Sequence, residues 1–335
     1  MRVLLATGLL VLGALCIAAW RYGPWLPPPF LEYRLEAGDI PAALAIGPDG
    51  AVWFTIENSD AIGVFRGGVL ERLPKGRESL EPLGLGVSNS GEVWFTDAIT
   101  ESIARLSPDG RVTGFRLPTG ITQFGRLAVA PDGGVWFTDS WSNAIVRLHQ
   151  GQFTPFEPST PSANPFGVVV DAHGTAWATL QTANRLVRIT AEGQKSELEL
   201  PTRSAGPTDI AIDANGAVWF LELRAGKIGR FAGGRFDEFS VPNQQAGLTS
   251  LAVAPDGTVW LAALREHKLL RLRDGTFTDF QLSRPGARPF GVAVDGLGNV
   301  WYTDLGGWLG RLHADEAQAS GLNPRALLPR VSLVR

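Results

Sequence analysis

The chain has 335 residues, 44% of them hydrophobic and 19% charged, with a formal net charge of −3. That balance offers no basic field to attract nucleic acid. The one cysteine, Cys16, lies in the N-terminal apolar run, so the rest of the chain holds no disulfide, thiolate metal site or cysteine nucleophile.

At the N-terminus, Arg2 precedes an uncharged run from Val3 to Trp20, which Arg21 ends. Its 18 residues are just long enough to span a bilayer. Bulky Ile17 and Trp20 flank the small Ala18 and Ala19, which makes a poor cleavage site. Residues 1–23 therefore read as a signal anchor in preference to a cleaved signal peptide. Either way the remainder is expected to be exported, anchored and facing the periplasm or outside, or secreted. Residues 24–29, Gly-Pro-Trp-Leu-Pro-Pro, read as a stiff linker.

From residue 30 onward one pattern repeats. Trp53, Trp94, Trp136, Trp177, Trp219, Trp260 and Trp301 recur at intervals of 41 or 42 residues, each with a glycine three residues before it. A period of about 40 with turn chemistry and β-rich runs predicts one propeller blade per repeat. The third copy shows the four strands. Leu127 to Ala130 is an apolar inner strand, and Pro131-Asp132-Gly133-Gly134 is a turn. Strands at 135–138, 144–148 and 152–156 follow, the last alternating polar and apolar as a half-exposed edge does. The last repeat lacks an outer strand after Leu312, and residues 31–35 supply a spare one at the other end of the chain. The fold class is therefore all-β: a seven-bladed propeller over residues 30–313, closed by the N-terminal strand. Residues 314–335 remain as a loosely held tail.

In such a ring the second-to-third and fourth-to-first loops share one rim. The third residue after each tryptophan gives Ile56, Asp97, Asp139, Leu180, Glu222, Ala263 and Asp304. Four carboxylates at one mouth suggest a Mg²⁺, Ca²⁺ or cationic-ligand site built from Asp97, Asp139, Glu222 and Asp304. Crowding could instead make Glu222 or Asp304 a general acid or base. The competing reading is that the aspartates cap their own loops. The inner strands begin at Ala42, Leu83, Gly125, Phe166, Thr208, Thr249 and Phe290, with Arg126, Asp209 and Ser250 alongside. Phe166, Phe290, Arg126, Asp209 and Thr249 are thus candidate ligand contacts. The two phenylalanines either form a platform for a ring-bearing ligand or plug the channel. Arg126 either binds an anion or neutralises Asp139 or Asp97. The recurring Arg105, Arg147, Arg188, Arg230, Arg271 and Arg311 read as a structural ladder. No histidine recurs at the rim, and no nucleophile elbow, phosphate loop or HExxH motif is present.

The blade motif Ala-Pro-Asp-Gly-Gly-Val-Trp-Phe-Thr-Asp (130–139), followed by Asn143-Ala144-Ile145-Val146-Arg147-Leu148, resembles the repeat of the streptogramin B lyases, also called virginiamycin B lyases. The resemblance implies a monomeric seven-bladed propeller that opens a cyclic depsipeptide by Mg²⁺-dependent elimination. It also implies catalytic histidines in Pro-His-Gly or Pro-His-Ala at the starts of late inner strands, where this chain has Thr249 and Phe290. Arg288 stands at the family's glutamate, Ala42 at its first-blade aromatic, and Asp304 near its last-blade carboxylate. The reading that follows is a binding scaffold for a small-molecule or envelope ligand, lacking most of the lyase catalytic set. The alternative is a metal-dependent lyase or related lactonase, with Glu222 and Asp304 as its working carboxylates.

Overall fold

A computed structural model describes residues 30–76, 83–118 and 122–318. They form seven four-stranded antiparallel sheets. The N-terminal anchor or signal, the linker and the tail beyond residue 318 lie outside the described residues. Among the described residues no helix is long and apolar enough to cross a membrane.

Blade three sets the pattern: Phe124–Val129 innermost, then Val135–Asp139, Ala144–His149 and Gln152–Phe156 outward. Blade seven is assembled from both ends of the sheet-forming chain. Phe30–Arg34 pairs with Trp308–Leu312 from Phe30↔Leu312 to Arg34↔Trp308, so the closing strand inferred from sequence is present. No blade of the ring is left with three strands, which removes an open sheet edge.

Side-chain burial explains why the ring holds. Among the described residues, seven buried apolar clusters each span one junction between adjacent blades. The repeated tryptophan lies in the cluster it shares with the next blade, as Trp53 does with Val93 and Phe95. The second strands are buried along their length because they face a neighbour on both sides. The arginine ladder has a simpler partner than carboxylates alone. Arg105, Arg147, Arg188, Arg230 and Arg311 each place a guanidinium 5.4–5.9 Å from the ring centroid of their own blade's tryptophan. A planar cation over an indole face covers the ring while keeping its charge near water.

The inner strands are not the plain four-residue runs that the sequence suggests. Six of them carry a register shift near the mouth, as between Phe124 and Leu127 or Pro165 and Val168. The shift brings the backbone of one blade against the next. A Cβ at Gly167 would lie 2.3 Å from the Thr208 carbonyl oxygen, and one at Gly125 2.3 Å from that of Phe166. Glycine is required there by proximity, not by backbone angle.

The chain after the last strand is also ordered at its start. Ala314–Gln318 forms one short helix, and buried Ala317 accepts a hydrogen bond from Arg271 Nη1 at 2.5 Å.

Candidate functional site at the channel mouth

The mouth is built on a girdle of hydroxyls that sequence reading missed. The second residue after the blade tryptophan is threonine at positions 55, 96, 138, 179 and 303. Thr55, Thr96, Thr179 and Thr303 accept from N–H groups at the start of their own blade's inner strand, as Thr179 Oγ1 does from Gly167 and Thr303 Oγ1 from Gly291. Three of the five donate to the inner strand of the next blade: Thr138 to Phe166 O, Thr179 to Thr208 O, and Thr303 to Ala42 O, at 2.6–2.7 Å. Blades five and six have Leu221 and Ala262 at this position. There the inner strands supply the missing polar groups. Asp209 Oδ2 accepts from Leu251 N at 3.0 Å, Thr249 Oγ1 donates to Phe290 O at 2.7 Å, and Ser250 Oγ accepts from Val292 N at 3.4 Å. Asp209 and Thr249, two candidate ligand contacts, thus tie blades together.

Arg126 closes the channel beneath the mouth. From blade three it donates through Nε to Asp209 of blade five at 3.0 Å, through Nη1 to Leu83 O of blade two, and through Nη2 to Thr249 O of blade six. Both partners of the ion pair are largely buried. The expectation that Arg126 neutralises Asp139 or Asp97 is corrected here: Asp209 is its counter-ion, and three blades beyond its own hold the guanidinium. The guanidinium packs on one face of the half-buried Phe166 ring, 5.8 Å from its centroid, and Phe290 is also half-buried. Arg126, Asp209 and Ser250, with Val168, Leu251 and Val292, line a cavity of about 220 Å³.

The carboxylates of the mouth do not converge. Asp97 Oδ1 accepts from Ile99 N and Oδ2 from Thr100 Oγ1. Asp139 accepts from Gln123 N, Trp141 N and Ser142 Oγ. Asp304 accepts from Arg288 N, Gly306 N and Arg284 Nη2. Each aspartate therefore caps its own loop, because a short side chain at a strand end reaches the N–H two residues on. Among the described residues no three His, Cys, Asp or Glu side chains lie close enough to hold a metal ion. The metal set of Asp97, Asp139, Glu222 and Asp304 does not fit an ion in this geometry, for that reason.

Glu222 differs from the other three. It is fully buried, and no hydrogen-bond donor meets either carboxyl oxygen. Burial first, and the neighbouring Glu238 carboxylate second, push its carboxyl up to about 8. It has moved away from the loop its counterparts cap. Leu223 N and Arg224 N donate instead to Gly206 O and Ala205 O.

Thr249 and Phe290 occupy the positions where the resemblance calls for histidines. The Thr249 hydroxyl is engaged with Phe290 O, and a phenyl ring has no proton to exchange. Elsewhere on the rim, Ile99, Trp141 and Leu223 are exposed on the second-to-third loops of blades two, three and five.

The sequence model of the virginiamycin B lyase family matches residues 29–262. This chain belongs to that family. Among solved structures it is similar to a streptogramin B lyase, with 25% identity and a TM-score of 0.80 over 84% of this chain and 96% of that one. It is also similar to a catalytically inactive histidine-to-alanine variant of virginiamycin B lyase from Staphylococcus aureus with quinupristin, at 24% identity and a TM-score of 0.79, covering 84% and 98%. A YCF48 protein bound to D1 peptide shares the fold at 15% identity and a TM-score of 0.67, covering 88% and 98%. A comparison with curated protein sequences gives no match. The family assignment and these likenesses establish the propeller. The chemistry of this member depends on its own mouth.

Proposed function

We propose that this member of the virginiamycin B lyase family is an exported, non-catalytic binding propeller. Its mouth takes a small-molecule or envelope ligand, and the N-terminal segment holds it at the membrane or delivers it outside. The observation that carries the reading is the occupancy of both histidine positions by groups that cannot act as a base, Thr249 and Phe290. The buried aspartates that would hold an ion are caps, and Arg126 already has its carboxylate. What remains open to a ligand is the half-buried pair of phenylalanine rings, with apolar Trp141, Ile99 and Leu223 on the rim. A ligand with an apolar ring system matches that surface, since aromatic side chains supply large contact area at small entropic cost.

The test is to incubate the purified protein with Mg²⁺ and a streptogramin B and to follow the substrate by chromatography with mass detection. An unchanged substrate peak is expected. A shifted peak of unchanged mass means ring opening by elimination and restores the lyase reading. A gain of one water points to a lactonase or other hydrolase.

A further inference from the structure

Three blades hold a rim loop with an aspartate. At the matching position blades four, five and six have Leu180, Glu222 and Ala263. In these three the N–H that the aspartate would cap goes to a backbone carbonyl instead: Thr182 N to Ala163 O, Arg224 N to Ala205 O, and Arg265 N to Ala246 O. Leucine and alanine serve equally well in the neighbouring blades, so capping gives no reason for an acid at 222. Nor does solubility, because the residue is fully buried.

The surroundings supply a reason. Glu238 on the outer strand of blade five accepts from Thr202 N at 3.1 Å, from Thr202 Oγ1 at 2.7 Å and from Lys227 Nζ at 2.8 Å. Lys227 also donates to Thr202 Oγ1 at 2.7 Å. Asn184 of blade four holds the same loop through Thr202 O and Ala205 N. The loop 202–206 leads directly into the inner strand that carries Asp209, the counter-ion of Arg126. The charged groups that face Glu222 are Glu238 from the outer strand and Lys227 from the third strand. Arg203 and Arg224 of the adjoining loops are exposed, and Asp209 on the inner strand is engaged with Arg126.

We propose that Glu222 and Glu238 share one proton, and that this proton latches the loop 202–206 to the two outer strands of blade five, so that its loss releases the loop. A neutral Glu222 is the only form compatible with a buried carboxyl that meets no donor and faces another carboxylate. With the proton present, Glu238 carries the single negative charge that Lys227 and Thr202 satisfy. Without it, two anions, one buried and one half-buried, face one ammonium, and Glu238 is driven off Thr202. Glu222 rises to about 8 while Glu238 is held low, chiefly by Lys227 and Thr202 against its own partial burial. The latch therefore opens on the alkaline side of neutrality.

Amide hydrogen exchange of the loop 202–206 in the full chain tests this, with rates corrected for the intrinsic pH dependence between pH 6 and 9.5. In the wild type, protection of these amides is expected to fall at least tenfold as pH passes about 8. Glu222→Gln and Glu222→Leu are expected to keep the loop protected throughout. Glu222→Leu also guards against misfolding, because Leu180 occupies the matching position in blade four. Wild-type protection that stays flat to pH 9.5 overturns the latch. So does an alkaline loss that persists unchanged in both folded variants.

Discussion

Blades two, three and seven fasten their upper loops in one way, and blades four, five and six in another. The first group uses a buried aspartate, as Asp139 meets Trp141 N and Asp304 meets Gly306 N. The second group hands the same N–H to a carbonyl of the preceding loop, next to a residue with positive φ: Asn164 at 54°, Gly206 at 65° and Gly247 at 67°. The two solutions satisfy the same orphan donor. They differ in what they leave over. A capping aspartate is used up by the fold, whereas a backbone tie frees the side-chain position for leucine, alanine or a buried acid. A row of carboxylates around a ring is therefore no guide to chemistry until each one's local donors are counted.

The largest effect that would sharpen this contrast is expected for Asp304→Ala. The substitution removes the nearer of two carboxylates from half-buried Arg284, which keeps Glu32, and takes the acceptor from Arg288 N and Gly306 N, at a cost of about 2–3 kcal/mol. Urea denaturation should show a lower midpoint at unchanged slope. Next, Ala263→Asp places a carboxylate where Arg265 N already has Ala246 O as its acceptor. A loss of about 2 kcal/mol is expected from the uncompensated burial. A neutral or stabilising result would mean that the two fastenings are interchangeable, and would break the comparison. Gly206→Ala puts a Cβ 2.8 Å from the Arg224 side chain at φ of 65°. It should cost about 1–2 kcal/mol, measured by thermal unfolding. Glu222→Leu separates the groups by pH. Because the folded carboxyl is pushed up to about 8, the native state keeps a proton that the unfolded chain gives up at ordinary carboxylate pH. That stability is fully present below about pH 4.5 and is lost as pH rises through about 8. The variant should lack this fall and gain on the wild type at pH 9, visible as a higher Tm. Thr249→Val, the smallest change, removes one inter-blade hydrogen bond and should cost about 1 kcal/mol.

The architecture was legible because the tryptophan and its glycine recur at nearly constant spacing, and packing at each blade junction demands that large ring. The closing strand was legible as a deficit in the last repeat and a surplus before the first. The site was less so. Asp97, Asp139 and Asp304 were open to two readings, because capping and metal binding call for the same residue at the end of a strand. The Arg126–Asp209 pair joins residues 83 apart in sequence and exists only once the ring brings blades three and five across the axis. The threonine girdle did carry a signal: a hydroxyl residue two places after the tryptophan in five repeats, with Leu221 and Ala262 as the exceptions. Polar residues on the inner strands of those same two blades, Asp209, Thr249 and Ser250, were the compensating half of that signal.

The strand Phe30–Arg34 comes first in the described chain and can pair only with Trp308–Leu312, almost the last. Its partners are therefore the final β-residues of the described chain to be synthesised, and closure waits on contacts of very large sequence separation, which are slow to form. Until then blade seven presents an unpaired edge, and the free strand carries Phe30, Leu31 and Tyr33. The moment of greatest risk for misassembly in this molecule is thus its last folding step, and a chain cut short before residue 308 would leave the ring permanently open.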